Sequence, residues 1–122
     1  MKVMREATAA KGFSALGNET RLQIFRLLVQ AGNRGAAVGV IQRHLSIPLS
    51  TLAHHLGMLV QAGLVVQEKC GREVICRANF AQLSALTDFL NRNCCAGLDA
   101  FPLPEDAVSG AAAAKEEDPA AS

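Results

Sequence analysis

The feature that most constrains this chain is a pair of short helical patterns separated by only a few residues. Apolar residues at helical intervals run from Val38 to Leu45, and a second pattern begins at Pro48. Proline suits the first position of a helix because its missing amide hydrogen would have no partner there. Only Ser46 and Ile47 lie between the two patterns, so we predict two helices joined by a tight turn.

The second helix of this pair, from about Pro48 to Gln61, is amphipathic. Taking about 100° per residue, its apolar side consists of Leu49, Leu52, Ala53, Leu56, Leu59 and Val60. Its other side consists of Ser50, Thr51, His54, Met58 and Gln61. Gly63 ends the helix. We expect the polar face of the helix to be exposed to solvent and available for binding.

The remaining patterns predict three further helices and one β-hairpin. The elements are a helix at Met1–Leu16, a helix capped by Asn18, a loop at Gly32–Gly35, strands at Leu64–Lys69 and Arg72–Ala78 around a Cys70–Gly71 turn, and a last helix at about Phe80–Cys94. This order predicts a mainly α fold with a two-stranded β wing, a winged helix-turn-helix. In that fold the second helix of the motif enters the DNA major groove, and the hairpin lies along the backbone.

The charges of the chain are segregated. Residues 1–96 carry eleven of the twelve Lys and Arg but five acids, a net +6, whereas residues 97–122 have a net charge of −5. We therefore expect a DNA-binding and dimerisation domain over residues 1–96 and an acidic, disordered tail over residues 97–122. A basic body suits a polyanionic partner. The only aromatic residues of the chain are five Phe, so we expect an aliphatic core, and a small domain of this kind gains from burying more surface in a dimer.

The chain carries no sign of a membrane or secretory protein. It has no run of about 18 apolar residues, and its first 30 residues lack the continuous apolar segment of a signal peptide. We therefore expect a cytoplasmic protein, in which cysteines are free thiols, metal ligands or redox sensors rather than structural disulfides.

Seven residues are candidates for contact with double-stranded DNA. They are Ser50, Thr51, His54 and His55 on the second helix, Arg43 on the preceding one, and Lys69 and Arg72 at the wing. The first four offer short hydrogen-bonding groups to bases or phosphates, and the three cations neutralise phosphates. A metal site at the two adjacent histidines is disfavoured because neighbouring residues of a helix point about 100° apart.

Three segments resemble the ArsR/SmtB family of metal-responsive repressors over roughly residues 10 to 95. They are ALGNETRLQIFRLL at Ala15–Leu28, LSTLAHHL at Leu49–Leu56 and AGLV at Ala62–Val65. The resemblance implies a homodimeric repressor that binds a palindromic operator without a cofactor and releases it when an inducer binds. Family members often carry Lys or Arg after the His-His-Leu segment, whereas this chain has Gly57, so we expect modest affinity.

Cys94 and Cys95 are the strongest chemical signal in the sequence. Adjacent thiols form a soft chelating pair that suits thiophilic ions, but the helix end must unwind before both sulfurs can hold one atom. The segment Asn91–Cys95, NRNCC, is similar to arsenic(III) regulators with a vicinal cysteine pair closing the last helix. The resemblance implies arsenite or methylarsenite as the inducer, with antimonite, Sb(III), as a further candidate.

A third thiolate would have to come from Cys76 or Cys70. Antiparallel packing of the last helices in a dimer would bring Cys76 near the partner's pair. The position of Cys76 also fits a small buried hydrophobe, and Cys70 fits an incidental thiol.

The main alternative function is a redox or persulfide sensor of the same fold. A dimerisation module without DNA binding is a further alternative, and an enzyme is not favoured because no CxxC motif accompanies the pair.

Overall fold

The computed structural model describes residues 4–101 and 103. Its elements are α1 (Glu6–Leu16), α2 (Glu19–Ala31), β1 (Ala36–Ala37), α3 (Val38–Leu45), α4 (Leu49–Gln61), β2 (Val65–Cys70), β3 (Glu73–Ala78) and α5 (Phe80–Asn91). Single 3₁₀ turns lie at Gly32–Arg34 and Leu98–Ala100. The mainly α fold with a β-hairpin wing is confirmed. Most of the predicted acidic tail lies outside the described residues.

The chain contacts divide the protein into two compact units. The first ends at Leu90 and holds the helices and the sheet, and the second begins at Asn91 and includes Cys94 and Cys95. No helix within residues 4–101 is both long enough and apolar enough to span a bilayer.

Local chemistry sets the start of α2 and the turn between α3 and α4. The Oδ1 atom of Asn18 accepts a hydrogen bond of 3.1 Å from the amide of Arg21, which confirms the predicted cap of α2. Pro48 is the N-cap of α4 rather than its first helical residue, because its ψ of 147° is extended. Its carbonyl still accepts the first helical hydrogen bond, from Leu52 at 2.9 Å. Ser46, in the left-handed region, ends α3 and makes the tight turn.

The sheet contains one more strand than the sequence predicted. The strand order is β1-β3-β2, all antiparallel, and β1 is only two residues long, too short to show a periodic pattern. The predicted Cys70–Gly71 turn is wrong by one residue, because Cys70 pairs with Glu73. The turn is Gly71–Arg72, and Gly71 has a φ of +65°, a conformation that favours glycine at a hairpin turn.

The core lies where α1, α2 and α4 pack against one another and against the sheet. Leu52, Leu56 and Leu59 are the buried residues of α4, and none is more than 2% exposed. Of the six residues predicted for its apolar side, Leu49, Ala53 and Val60 are instead exposed. The reason is that α4 contacts α1, α2 and β2 through a narrow stripe, which a helical wheel alone does not reveal.

The last helix ends three residues earlier than predicted. It stops at Asn91, whose carbonyl accepts a hydrogen bond of 3.0 Å from the amide of Cys94. Asn93 and Cys95 then adopt left-handed backbone angles, with φ of 60° and 63°. The predicted helical position of Cys94 is therefore wrong, and both cysteines lie in a turn after α5.

Candidate nucleic-acid interface and thiol pair

The exposed face of α4 combines polar, small and apolar residues. Ser50, Thr51 and His54 are exposed as predicted, and so are Leu49 and Ala53. Helix α4 contains no Lys or Arg between Leu49 and Gln61. Any contact that this helix makes with DNA therefore depends on hydroxyl, imidazole and alkyl groups rather than on cations.

His55 differs from the other three helix candidates because it faces α2. Its Nδ1 atom lies 3.3 Å from Nη1 of Arg21, and a guanidinium can only donate. The Nδ1 atom therefore accepts, and the proton of the neutral ring is on Nε2. Burial first, and then the charges of Arg21 and His54, lower the pKa of His55. The surroundings of His55 therefore disfavour the charged form of the ring, and the contact with Arg21 orients it toward α2.

Arg21 connects three helices. Its Nε atom donates to the carbonyl of Ala15 near the end of α1 at 2.6 Å, and its Nη1 atom reaches Sδ of Met58 at 3.2 Å as well as His55. Such charge-assisted hydrogen bonds are stronger than neutral ones. Arg21 therefore fixes the orientation of α4 relative to α1 and α2.

The predicted basic contacts lie at the surface of α3 and the wing. Arg43 is exposed in the last turn of α3, Lys69 is exposed in β2, and Arg72 lies at the tip of the hairpin. A third cation of the wing, Arg77, is engaged differently: it donates to Glu68 Oε1 at 2.6 Å and to the carbonyl of Asn33 at 2.9 Å. Arg77 braces the sheet, whereas the other three present charge to solvent.

The thiols of Cys94 and Cys95 lie next to each other in the second unit. Their Sγ atoms are 3.4 Å apart, and both residues are exposed. The turn that follows α5 makes this contact possible, since adjacent side chains on a regular helix diverge. Two adjacent cysteines can bind one atom only where the helix has ended, and α5 ends at Asn91, before both of them.

Cys76, the predicted third ligand, has a different environment. It is fully buried on β3, where the side-chain amide of Gln67 lies 3.5 Å from its Sγ atom. Burial raises the pKa of the Cys76 thiol, and the hydrogen bond from Gln67 opposes that shift in part. Within residues 4–101 and 103, no three His, Cys, Asp or Glu side chains form a group that could hold a metal ion.

Comparisons with known proteins place this geometry in a family. A helix-turn-helix domain model matches residues 16–68. An uncharacterized HTH-type transcriptional regulator of Methanocaldococcus jannaschii is 41% identical over 63 residues, which cover 52% of this chain and 68% of that protein. The structure of an ArsR-like transcriptional regulator from Rhodococcus sp. RHA1 is 34% identical and superposes with a TM-score of 0.63, over 70% of this chain and 78% of that one. The chain belongs to the ArsR family.

Two further structures resemble this ArsR-family protein. A possible transcriptional regulator for arsenical resistance is 26% identical, with a TM-score of 0.56 over 64% of this chain and 78% of that one. A homodimeric winged helix-turn-helix domain from Mycobacterium bovis, a possible ArsR-family regulator, is 27% identical, with a TM-score of 0.57 over 76% and 92%. The protein is thus a DNA-binding transcriptional regulator rather than an enzyme.

Three residues at this candidate interface have surroundings that the sequence did not predict. Arg21 lies within the segment Ala15–Leu28, but its partners on α4 are 34 and 37 positions away and leave no local signal. Leu49 and Ala53 were assigned to the buried side of α4 because the wheel places them beside Leu52 and Leu56. The seven predicted DNA contacts stay predictions, and the geometry favours a positioning role for His55.

Proposed function

We propose that this ArsR-family regulator is a homodimeric repressor that binds palindromic operator DNA and releases it when trivalent arsenic binds Cys94 and Cys95. The observation that carries the proposal is the pair of exposed thiols with sulfurs 3.4 Å apart. The ligand is inorganic arsenite or methylarsenite, and antimonite has the same thiophilic chemistry.

The contact between the two sulfurs suits a ligand that needs few thiolates. The Sγ atoms of Cys94 and Cys95 lie 3.4 Å apart as free thiols, so one thiophilic atom reaches both with little movement of the chain. Trivalent arsenic forms two or three such bonds, whereas a structural zinc ion takes four ligands, and no group of three His, Cys, Asp or Glu side chains that could hold a metal ion lies within residues 4–101 and 103.

Binding of arsenic at this site is a condensation. Each thiol gives its proton to a hydroxyl group on arsenic, that group leaves as water, and one As–S bond forms. Methylarsenite is satisfied by two such bonds because its third position is a methyl group. Inorganic arsenite keeps one hydroxyl group or takes a third thiolate, for which Cys76 of a partner copy is the candidate, although its burial and raised pKa oppose ionisation.

The homodimer is supported by the family and by the surface of the chain. The related domain from Mycobacterium bovis is homodimeric. Large apolar side chains near the end of the described chain are exposed, namely Leu90 at 68%, Leu98 at 89%, Phe101 at 66% and Leu103 at 69%. Burying such residues against a second copy removes apolar surface from water.

The release of DNA follows from linkage between the two sites. Two reading helices in a dimer must match half-sites about 34 Å apart. If arsenic favours a dimer arrangement in which this spacing is lost, a coupling of roughly 1–3 kcal/mol lowers operator affinity about 5- to 150-fold. No cofactor is needed for DNA binding itself.

The proposal is tested with Cys94→Ser and Cys95→Ser. An operator fragment labelled with a fluorophore is bound to the protein under reducing conditions and titrated in parallel with arsenite, methylarsenite, antimonite and zinc, while anisotropy is followed. We expect the arsenicals to release the wild-type protein. Both serine variants should bind the operator with unchanged affinity and should not be released.

Cys70→Ser is the matched control, because Cys70 is also an exposed thiol but lies in the wing. It should respond like the wild type. Unchanged release of both Cys94→Ser and Cys95→Ser by the arsenicals would exclude this site.

The same sulfur contact favours a second candidate, a redox or persulfide sensor. Peroxide would accept two electrons and the two thiol protons as the sulfurs join, and it would leave as water. Under this alternative, peroxide or polysulfide releases the operator while arsenite does not. Mass spectrometry of the Cys94–Cys95 peptide distinguishes the products.

A further inference from the structure

Leu49 and Ala53 have no role in the core and none in the polar interface described above. Leu49 is 55% exposed although it is a large apolar residue, and Ala53 is exposed one helical turn later. Gly57 follows after another turn and is exposed as well. The three positions form a column along α4, since residues four apart are neighbours on a helix, and this column carries no polar side chain.

The N-terminal end of this column lies in the part of α4 that corresponds to the base-contacting residues of a helix-turn-helix. The second helix of a helix-turn-helix enters the major groove, and its N-terminal residues contact base edges. Leu49 is the first residue of α4, and it is directly followed by the exposed Ser50 and Thr51. The apolar column therefore continues the polar surface that is predicted to meet DNA.

An alkyl side chain can recognise one feature of the major groove. Hydrogen-bonding groups of the bases need a donor or an acceptor, which Leu49 and Ala53 lack, whereas the 5-methyl group of thymine makes apolar contacts. Guanine is read most often by the bidentate donors of Arg or Lys, and α4 has neither between Leu49 and Gln61. The composition of this helix thus favours thymine over guanine.

We propose that Leu49 and Ala53 read the 5-methyl groups of thymines in each operator half-site, and that Leu49 is the main determinant of this preference. The two residues are about 6 Å apart along the helix axis, and base pairs repeat every 3.4 Å. The thymines they contact are therefore one or two base steps apart. This specificity rests on DNA binding by α4 and not on arsenic.

The test removes the methyl group from the DNA and the side chain from the protein. Each thymine of a half-site is replaced in turn by deoxyuridine, which pairs identically but lacks the 5-methyl group, and the Kd is measured by anisotropy without any inducer. We expect about a fourfold increase in Kd at one or two thymines, the ratio that corresponds to the burial of one methyl group. In Leu49→Ala, the wild-type penalty at one of these positions should disappear.

Val60→Ala is the control, because Val60 is also an exposed apolar residue of α4, at 37%, but lies in its last turns. This variant should keep the full deoxyuridine penalty, and circular dichroism checks that both variants fold. If no deoxyuridine changes the Kd by more than twofold, or if Leu49→Ala keeps the penalty at every position, the proposal is wrong. Loss of arsenic sensing would leave this result unaffected.

Discussion

Gly35 shows how one residue without a side chain allows the sheet to form. Its φ of +72° and ψ of −165° belong to a backbone region that is essentially restricted to glycine. A Cβ atom there would lie 2.5 Å from the carbonyl oxygen of Cys76 and 2.7 Å from Cγ of Arg77. Glycine at this position therefore lets β1 approach β3.

We expect Gly35→Ala to destabilise the protein strongly. The unfavourable backbone region alone costs about 1–3 kcal/mol, and the clash with the backbone of β3 adds to that cost. Gly32→Ala is the control, because Gly32 has a similar φ of +70° but open space around the added Cβ atom. Urea unfolding should show a larger loss of unfolding free energy for Gly35→Ala, and equal losses would refute the steric argument.

Cys76 shows where the prediction of single residues reaches its limit. The two-residue period of a strand puts Cys76 on one face with Val74 and Ala78, which fits both a buried hydrophobe and a ligand. Only the packing of the sheet decides between them, and it leaves Cys76 with no exposed surface. The contact between Cys94 and Cys95 was equally beyond a periodic pattern, because it depends on left-handed angles at Asn93 and Cys95.

Among the helices, α4 is weakened by its own sequence. Gly57 lies in its interior, where glycine costs about 1 kcal/mol relative to alanine, and a Cβ atom added there meets nothing within 4 Å. Both Ala and Lys are good helix formers. A substitution at this position can therefore change the stability of the helix without disturbing its packing.

We expect Gly57→Ala and Gly57→Lys to raise the unfolding free energy by a similar amount, about 0.5–1 kcal/mol. Only Gly57→Lys should also bind operator DNA more tightly, since it adds a cation to a helix that has none. Urea unfolding and anisotropy titrations measure the two effects separately. Tighter binding by Gly57→Ala to the same degree would show that helix stability, not charge, limits affinity.

The elements differ in how well the sequence predicted them. Helix α4 was predicted to within one residue because Pro48 and Gly63 mark its ends. The two-residue β1 was missed because Ala36 and Ala37 have no periodicity. The exposure of Leu49, Ala53 and Val60 on α4 was also missed. Hydrophobic spacing gives the direction of each side chain, but it does not show how wide a strip of the helix the neighbouring elements cover.

At the level of the whole protein, the distribution of charge predicts how the wing acts. Lys69 and Arg72 are exposed on the hairpin, whereas Arg77 is already paired with Glu68 at 2.6 Å. Contacts with phosphates release counterions, so each one steepens the dependence of affinity on salt by about 0.9 in log–log form.

We expect Lys69→Ala and Arg72→Ala each to weaken binding to operator and unrelated DNA alike and to lower the salt slope by roughly one. Arg77→Gln is the control and should leave the slope nearly unchanged. Anisotropy titrations over a series of salt concentrations give these slopes. An identical slope for the wild type and for both alanine variants would remove the wing from the DNA contact.

The overall architecture was predictable because hydrophobic spacing and one tight turn leave few arrangements for five helices and a hairpin. The positions of Cys94 and Cys95 after α5 have a consequence for how such regulators diversify. Both thiols are exposed and lie outside the buried core, so a few substitutions there leave the scaffold intact. If Cys94 and Cys95 bind the inducer as proposed, substitutions in this turn change the inducer specificity and leave the DNA-binding fold unchanged.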